Sequence, residues 1–288
     1  MDVILKNLSY TYHRGHVEAL KDVNAHIGPG IYLLLGENGA GKTTMLRIMA
    51  GLLFASEGVC TLDGEDVRRR RPSTTSRTVY LDSEEECPAR SIAEFAGMQG
   101  QFYPNFDPEV MARNLEAMRL NATDRVSSLS MGSRRKAMTA YTLALGADLT
   151  LLDEPTNGLD IEAKIALQRL MAANVRPDQS IVISTHNIAD LESLYDGVII
   201  LRGARLVLCA RVDDILDRLA FVTGAMKPDG ALHAELYNGQ WHAIVERGGG
   251  EDFDGGNDVD FRLLYTAMRS DNAQRIIDII NAKKSDNE

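Results

Sequence analysis

The sequence predicts an α/β fold built on a parallel sheet, preceded by a β-rich antiparallel part and followed by a small α+β C-terminal domain. Three observations carry that expectation. The stretch Gly36 to Thr43 reads G-x-x-x-x-G-K-T and lies between the apolar run at 31–35 and a run of helical spacing at 44–50. Short apolar runs at 149–152 and 181–184, separated by a helical stretch at 161–173, have the pattern of strands buried on both faces. Past about Val212 the composition changes and a new hairpin signal appears.

Taken in order, residues 3 to 35 read as paired strands: Asn7 to Tyr12 alternate, and Gly28-Pro29-Gly30 turns the chain into the strand before the glycine loop. Within that alternation Tyr12 and Tyr10 are expected on opposite strand faces. Val79-Tyr80-Leu81 is a further short strand. From Ile92 to about Leu145 the spacing of Ile92, Phe95 and Ala96, and later of Val110, Met111, Leu115 and Met118, is helical, which gives an insertion at about 84–145. Beyond it, Asn238-Gly239 between 233–236 and 241–245 marks a hairpin, and Ser270 can cap a helix at about 272–284. The expected division is 1–212 and 213–288. The glycine-rich stretch 248–256 lacks the ligand spacing of a calcium loop and reads as a flexible connection.

The glycine loop is a P-loop, and its chemistry explains its residues. A triphosphate needs many donors at short range, so glycines let backbone N–H groups close in while the following helix N-terminus favours negative charge. Gly36, Glu37, Asn38, Gly39, Ala40, Gly41, Lys42, Thr43 and Thr44 form the candidate nucleotide site, with Lys42 reaching the β- and γ-phosphates and the Thr43 hydroxyl on Mg²⁺. The strand at 149–152 ends in Asp153-Glu154, which puts both carboxylates at a strand's C-terminal end, where open α/β sheets bind ligands. Asp153 is the candidate to hold Mg²⁺ through water, and Glu154 to orient or deprotonate an attacking water.

Composition sets the outer limits. The net charge is −10, which argues against wholesale coating of nucleic acid. Cys60, Cys87 and Cys209 show no metal-ligand spacing and suit a reducing cytosol. Asp2 and Lys6 interrupt any apolar start, and Arg202, Arg205 and Arg211 break the oily stretch at 197–212, so no segment is expected to span a membrane.

Leu129-Ser130-Met131-Gly132-Ser133, Asn157-Gly158-Leu159-Asp160 and Ser184-Thr185-His186, in this order around the P-loop and Asp153-Glu154-Pro155, resemble the ATP-binding cassette (ABC) family over the chain up to about Val212. The segment Phe102 to Asp107 is similar to one in single-cassette bacterial export-type subunits. The resemblance implies a P-loop ABC ATPase with an antiparallel β-subdomain, a RecA-like core and a helical subdomain. It also implies ATP hydrolysis with Mg²⁺ and a head-to-tail homodimer or heterodimer that energises a separate transmembrane permease from the cytoplasmic, inner face of the membrane. Ser130, Met131, Gly132 and Ser133 would meet the nucleotide of the facing subunit, or Ser130 would serve only as a helix N-cap. His186 would contact the γ-phosphate, Asp160 would communicate across the dimer, and Tyr12 would stack on adenine. Catalysis is assigned to Glu154, His186 and Lys42.

Two departures stand out against that family. Ser133 replaces the usual glutamine, followed by Arg134, Arg135 and Lys136 as candidates to attract phosphate. After the strand 79–81, Asp82 or Ser83 stands where the family places a Mg²⁺-sensing glutamine. Glu84-Glu85-Glu86 lies where a permease would dock, and Arg68 to Arg71 forms a basic run read as surface. A soluble cassette acting on nucleic acid or ribosomes, and a weakly hydrolysing nucleotide-binding regulator, are the alternative readings. The resemblance at Phe102 to Asp107 implies export, with cargo contacts in the membrane partner.

Overall fold

A computed structural model describes residues 1–12, 16–82, 91–247 and 258–282. Packing divides the chain into two units: Met1–Tyr195 with Leu201–Leu206, and Asp196–Ile200 with Val207–Glu288. The second unit therefore takes in residues 196–200 and 207–212, which the sequence had grouped with the larger domain.

The first unit opens with β1 (Val3–Tyr12) and β2 (Val17–Ile27), then β3 (Gly30–Leu35) leads through the glycine loop into α1 (Lys42–Met49). Next come β4 (Glu57–Leu62), β5 (Glu65–Asp66), the short α2 (Pro72–Thr75) and β6 (Thr78–Leu81). β2, β1, β4 and β5 form an antiparallel sheet in that order. β4 and β5 escape a reading by alternation because Gly58 and the small Cys60 interrupt it, yet Cys60 and Leu62 face the core.

Three helices follow: α3 (Ile92–Gly100), α4 (Pro108–Ala117) and α5 (Met131–Ala144). Their starts are set locally. Ser91 accepts from the Glu94 N–H at 3.2 Å, Asp107 caps α4 ahead of Pro108, and Ser130 caps α5. Phe95 meets Tyr141 edge-on at 5.0 Å, an aromatic contact worth about 0.5–1.5 kcal/mol beyond its buried area.

β7 (Leu149–Asp153), α6 (Ile161–Asn174) and β8 (Ser180–Ser184) complete the nucleotide core. β3 pairs with β8, β8 with β7 and β7 with β6, all parallel, with Ile31 opposite Ile181, Leu151 opposite Val182 and Tyr80 opposite Leu151. β7 and β8 are buried along their whole length, as their apolar runs require. Because the strands are parallel, their C-terminal ends emerge along one edge, which brings Gly36, Asp82, Asp153 and Ser184 to the same side of the sheet.

β9 (Gly197–Arg202) and β10 (Arg205–Arg211) straddle the division between the units. The second unit continues with α7 (Val212–Leu216), β11 (Leu219–Gly224), β12 (His233–Tyr237), β13 (Gln240–Glu246), α8 (Phe261–Ala267) and α9 (Ala273–Asn281). β11, β13 and β12 form an antiparallel sheet. Asn238 and Gly239 hold φ of 50° and 79°, the two positive values of a type I′ turn. The Ser270 cap is borne out in part: Asn272 is the N-cap residue of α9 and makes no side-chain cap bond, while Ser270 Oγ accepts from the Asn272 N–H at 3.3 Å and donates to the Ala267 carbonyl at 2.8 Å. Residues 248–257, which contain the glycine-rich stretch, lie outside the described residues. Among the described residues no helix is long and apolar enough to cross a membrane.

Candidate nucleotide site

The P-loop leaves β3 and enters α1 through Gly41, whose φ of 104° favours glycine and whose Cβ position would lie 2.3 Å from the Ala19 carbonyl oxygen. Only glycine fits there. The Lys42 ammonium donates to the carbonyls of Gly36 and Glu37 at 2.7 and 3.2 Å, so its charge is held over the loop's own backbone. Burial holds its pKa below the usual lysine value, opposed by the charges of Glu154 and Asp153.

Thr43 donates its hydroxyl to Asp153 Oδ2 at 2.7 Å, joining the P-loop to the end of β7. Asp153 is buried, and an isolated carboxylate there would be costly; it accepts also from the Tyr80 hydroxyl at 3.2 Å and from Ser184 Oγ. These hard oxygen donors fit a small divalent cation such as Mg²⁺. Among the described residues no cluster of three or more His, Cys, Asp or Glu could hold a metal, so cation binding here would rest on Thr43, Asp153 and ligand oxygens.

Glu154 follows in a left-handed conformation, φ 52°, unusual for a residue with a side chain. Its N–H donates to the Ser184 carbonyl at 3.0 Å, and its carboxylate approaches His186 Nδ1 at 2.8 Å. The glutamate side chain is mostly buried while the histidine ring is open to solvent, so the pair stands at the site's surface. Arg135 of α5 donates to the carbonyls of Asp153 and Glu154 at 2.6 and 2.8 Å, and to that of Asp82.

Several expectations change. Tyr10 and Tyr12 meet edge to face at 4.9 Å on one side of β1, because residues two apart in a strand share a face; Tyr12 also lies 3.1 Å from the Thr44 hydroxyl. Arg134, Arg135 and Lys136 are committed within the unit: Arg134 to the Leu129 carbonyl, Arg135 as above, and Lys136 to Asp160 at 2.8 Å. The Asp82 carboxylate is taken by Arg47 at 2.7 Å, because α1 presents Arg47 beside the end of β6. Ser83 and Glu84 to Glu86 lie outside the described residues.

The signature stretch shows its local role. Ser130 Oγ accepts from the Ser133 N–H at 3.1 Å and lies 3.0 Å from the Ser133 hydroxyl, capping α5. Gly132 approaches the Gly158 carbonyl so closely that a Cβ would lie 3.1 Å from it. Asp160 caps α6, accepting from the Ala163 N–H at 2.8 Å, and its carboxyl is held below the usual range by Lys136 and then by that backbone bond. Reading by motif missed Tyr80 and Arg47, and named Ser184 and Arg135 without the bonds they make to the Asp153 carboxylate and to the strand-end carbonyls. For Arg135 a signal existed: with the buried Met138, Thr139 and Thr142 it completes an i, i+3, i+4, i+7 face.

Comparison with known proteins agrees with this geometry. Residues 20–157 match the model of the family described as ABC transporter. The chain is 32% identical over 209 residues to ABC transporter ATP-binding protein NatA of Bacillus subtilis, covering 70% of this chain and 85% of that protein. It is 34% identical over 209 residues to a putative ABC transporter ATP-binding protein, GSU3001, of Geobacter sulfurreducens, covering 69% and 75%. The solved structure of an ATP-binding subunit of an ABC transporter shares the fold, with a TM-score of 0.66 at 24% identity over 75% of this chain and 92% of that one. With its P-loop, paired carboxylates and signature helix set out as described, this chain belongs to the ABC transporter family, among its ATP-binding subunits.

Proposed function

We propose that the chain binds ATP with Mg²⁺ at the P-loop and hydrolyses it to drive a separate transmembrane permease. The observation that carries the reading is the join between the two halves of the site: Thr43 on Asp153 at 2.7 Å, with Glu154 on His186 at 2.8 Å one residue further on. Gly36 to Thr44 surround the phosphates with backbone N–H groups and the N-terminus of α1, and the Lys42 ammonium exchanges the Gly36 and Glu37 carbonyls for β- and γ-phosphate oxygens. Thr43, and Asp153 through water, would hold Mg²⁺, which when bound would neutralise charge on the phosphate oxygens. Glu154 orients a water and accepts its proton, while His186 steadies the carboxylate and reaches the γ-phosphate. Tyr12, beside Thr44, offers its ring to adenine.

Two copies pair head to tail, with Ser130, Met131, Gly132 and Ser133 of one facing the nucleotide of the other. Support comes from two large apolar side chains left in solvent at this surface, Met131 at 81% exposure and Ile161 at 78% beside Asp160. Export is the direction favoured by the segment Phe102 to Asp107, and the complex works at the inner face of the cell membrane.

Glu154→Gln tests the reading. Phosphate release should fall about 10²–10⁴-fold, ATP binding should persist, and light scattering in ATP should show a trapped dimer. A monomer with ATP demonstrably bound overturns the dimer, and undiminished hydrolysis overturns Glu154. Copurification with ribosomes or DNA in place of a multispanning protein overturns the transport role.

A further inference from the structure

Arg135 lies one turn into α5 beyond the signature stretch, is buried to 8% exposure, and sends its guanidinium to the ends of two strands. It donates to the Asp153 and Glu154 carbonyls at 2.6 and 2.8 Å from one nitrogen, and to the Asp82 carbonyl from another. These acceptors converge from β6 and β7, which run parallel with Leu81 beside Leu152. A planar fork of donors suits several carbonyls at once, and a lysine ammonium does so less well.

The backbone it grips is the unusual one. Glu154 holds φ of 52°, and such a conformation in a residue with a side chain persists only where its surroundings over-determine it. On its N-terminal side Glu154 is fixed by its N–H to the Ser184 carbonyl. On its C-terminal side its own carbonyl is held by Arg135 at 2.8 Å and by the Asn157 N–H at 3.1 Å. Those bonds hold the backbone from which the carboxylate reaches the His186 ring at 2.8 Å and the His186 N–H at 3.4 Å.

We infer that Arg135 is a positioning residue for hydrolysis, holding the Glu154 backbone so that its carboxylate meets the attacking water, and tying that carboxylate to the signature helix of the same chain. The inference rests on the role given to Glu154 above. Arg135 touches no reacting atom. Its removal leaves the P-loop donors intact and loosens the Asp153 and Glu154 carbonyls together, and small misplacements of a reacting group cost rates up to about 10²-fold.

The test compares wild type, Arg135→Lys, Arg135→Gln and Glu154→Gln in steady-state ATP hydrolysis, with fluorescent-nucleotide affinity and thermal midpoint measured on each. Arg135→Gln should lose about 10–100-fold in kcat with KM and nucleotide affinity within about threefold of wild type. Arg135→Lys, which keeps the charge but not the fork, should retain an intermediate kcat. Should Arg135→Gln fail to fold, Arg135→Lys carries the same comparison at a temperature below its midpoint. Normal kcat in the folded Arg135 variants with an inactive Glu154→Gln overturns the inference alone. A rise in KM without loss of kcat, or a loss that follows the folded fraction, overturns it as well. An active Glu154→Gln overturns the reading beneath it.

Discussion

Glu154→Asn separates two properties that the native residue combines, a strained backbone and a reactive carboxylate. At φ 52° a side-chain-bearing residue pays about 1–2 kcal/mol for the left-handed conformation, and asparagine tolerates it better than most. Against that relief stands the lost contact with His186, whose ring is 66% exposed; a solvent-screened pair of this kind contributes at most about 1 kcal/mol. The difference lies between about 0 and 2 kcal/mol in favour of the variant, or a thermal midpoint unchanged or raised by up to about 8 °C for a unit of this size. The amide cannot accept the water's proton, so hydrolysis should fall about 10²–10⁴-fold. Scanning calorimetry without nucleotide, followed by phosphate release on the same preparation, reads both quantities. A midpoint lowered by more than about 4 °C would refute the strain argument and make the carboxylate a structural strut.

Two other perturbations reach different parts of the molecule. Gly41→Ala places a methyl 2.3 Å from the Ala19 carbonyl oxygen and 2.7 Å from the Leu20 side chain at φ 104°, so it should cost at least about 2 kcal/mol and most ATP binding, read by urea unfolding and calorimetric titration. Affinity within threefold of wild type would count against the P-loop geometry. Burial pushes the Cys60 thiol up to about 12, so at pH 8 its thiolate is about 10³-fold rarer than that of a free cysteine. Peptide mass mapping after iodoacetamide should find Cys60 unmodified until denaturant is added, and rapid labelling of the native chain would contradict the packing of β4.

Where local pattern and tertiary demand coincide, the fold was legible. The runs at 149–152 and 181–184 are apolar on both faces because β7 and β8 are covered on both, and Asn238-Gly239 suits a type I′ turn because both its residues take positive φ. Elements with weak local signals were passed over. β4 carries Gly58 and small residues, and α8, with seven residues, is too short for a helical period to declare itself although Phe261, Leu263, Leu264 and Ala267 are buried. Ser270 has the chemistry of a cap and uses it both ways, its hydroxyl donating back to the Ala267 carbonyl and accepting from the Asn272 N–H one residue before α9.

The site divides along a similar line. A motif states which groups meet the ligand, since their spacing is dictated by phosphate and by helix geometry, and so Lys42, Thr43, Asp153 and Glu154 could be named from pattern, and His186 from the resemblance to the family. What a motif does not state is how those groups are held, because the holding bonds cross long stretches of chain: Tyr80 to Asp153, Arg47 to Asp82, Arg135 to three carbonyls. The charge run Arg134-Arg135-Lys136 shows the difference, for net charge points all three at phosphate while helical phase turns Arg135 inward with Met138 and Thr142. In this chain Asp82, which with Ser83 stands where the family places its glutamine, is bound through its carboxylate to α1 and through its carbonyl to α5. A shift of α5 therefore has a direct mechanical path to the end of β6 and to Glu154, one that needs no glutamine side chain. That is why the missing glutamine after β6 does not by itself argue for a silent ATPase.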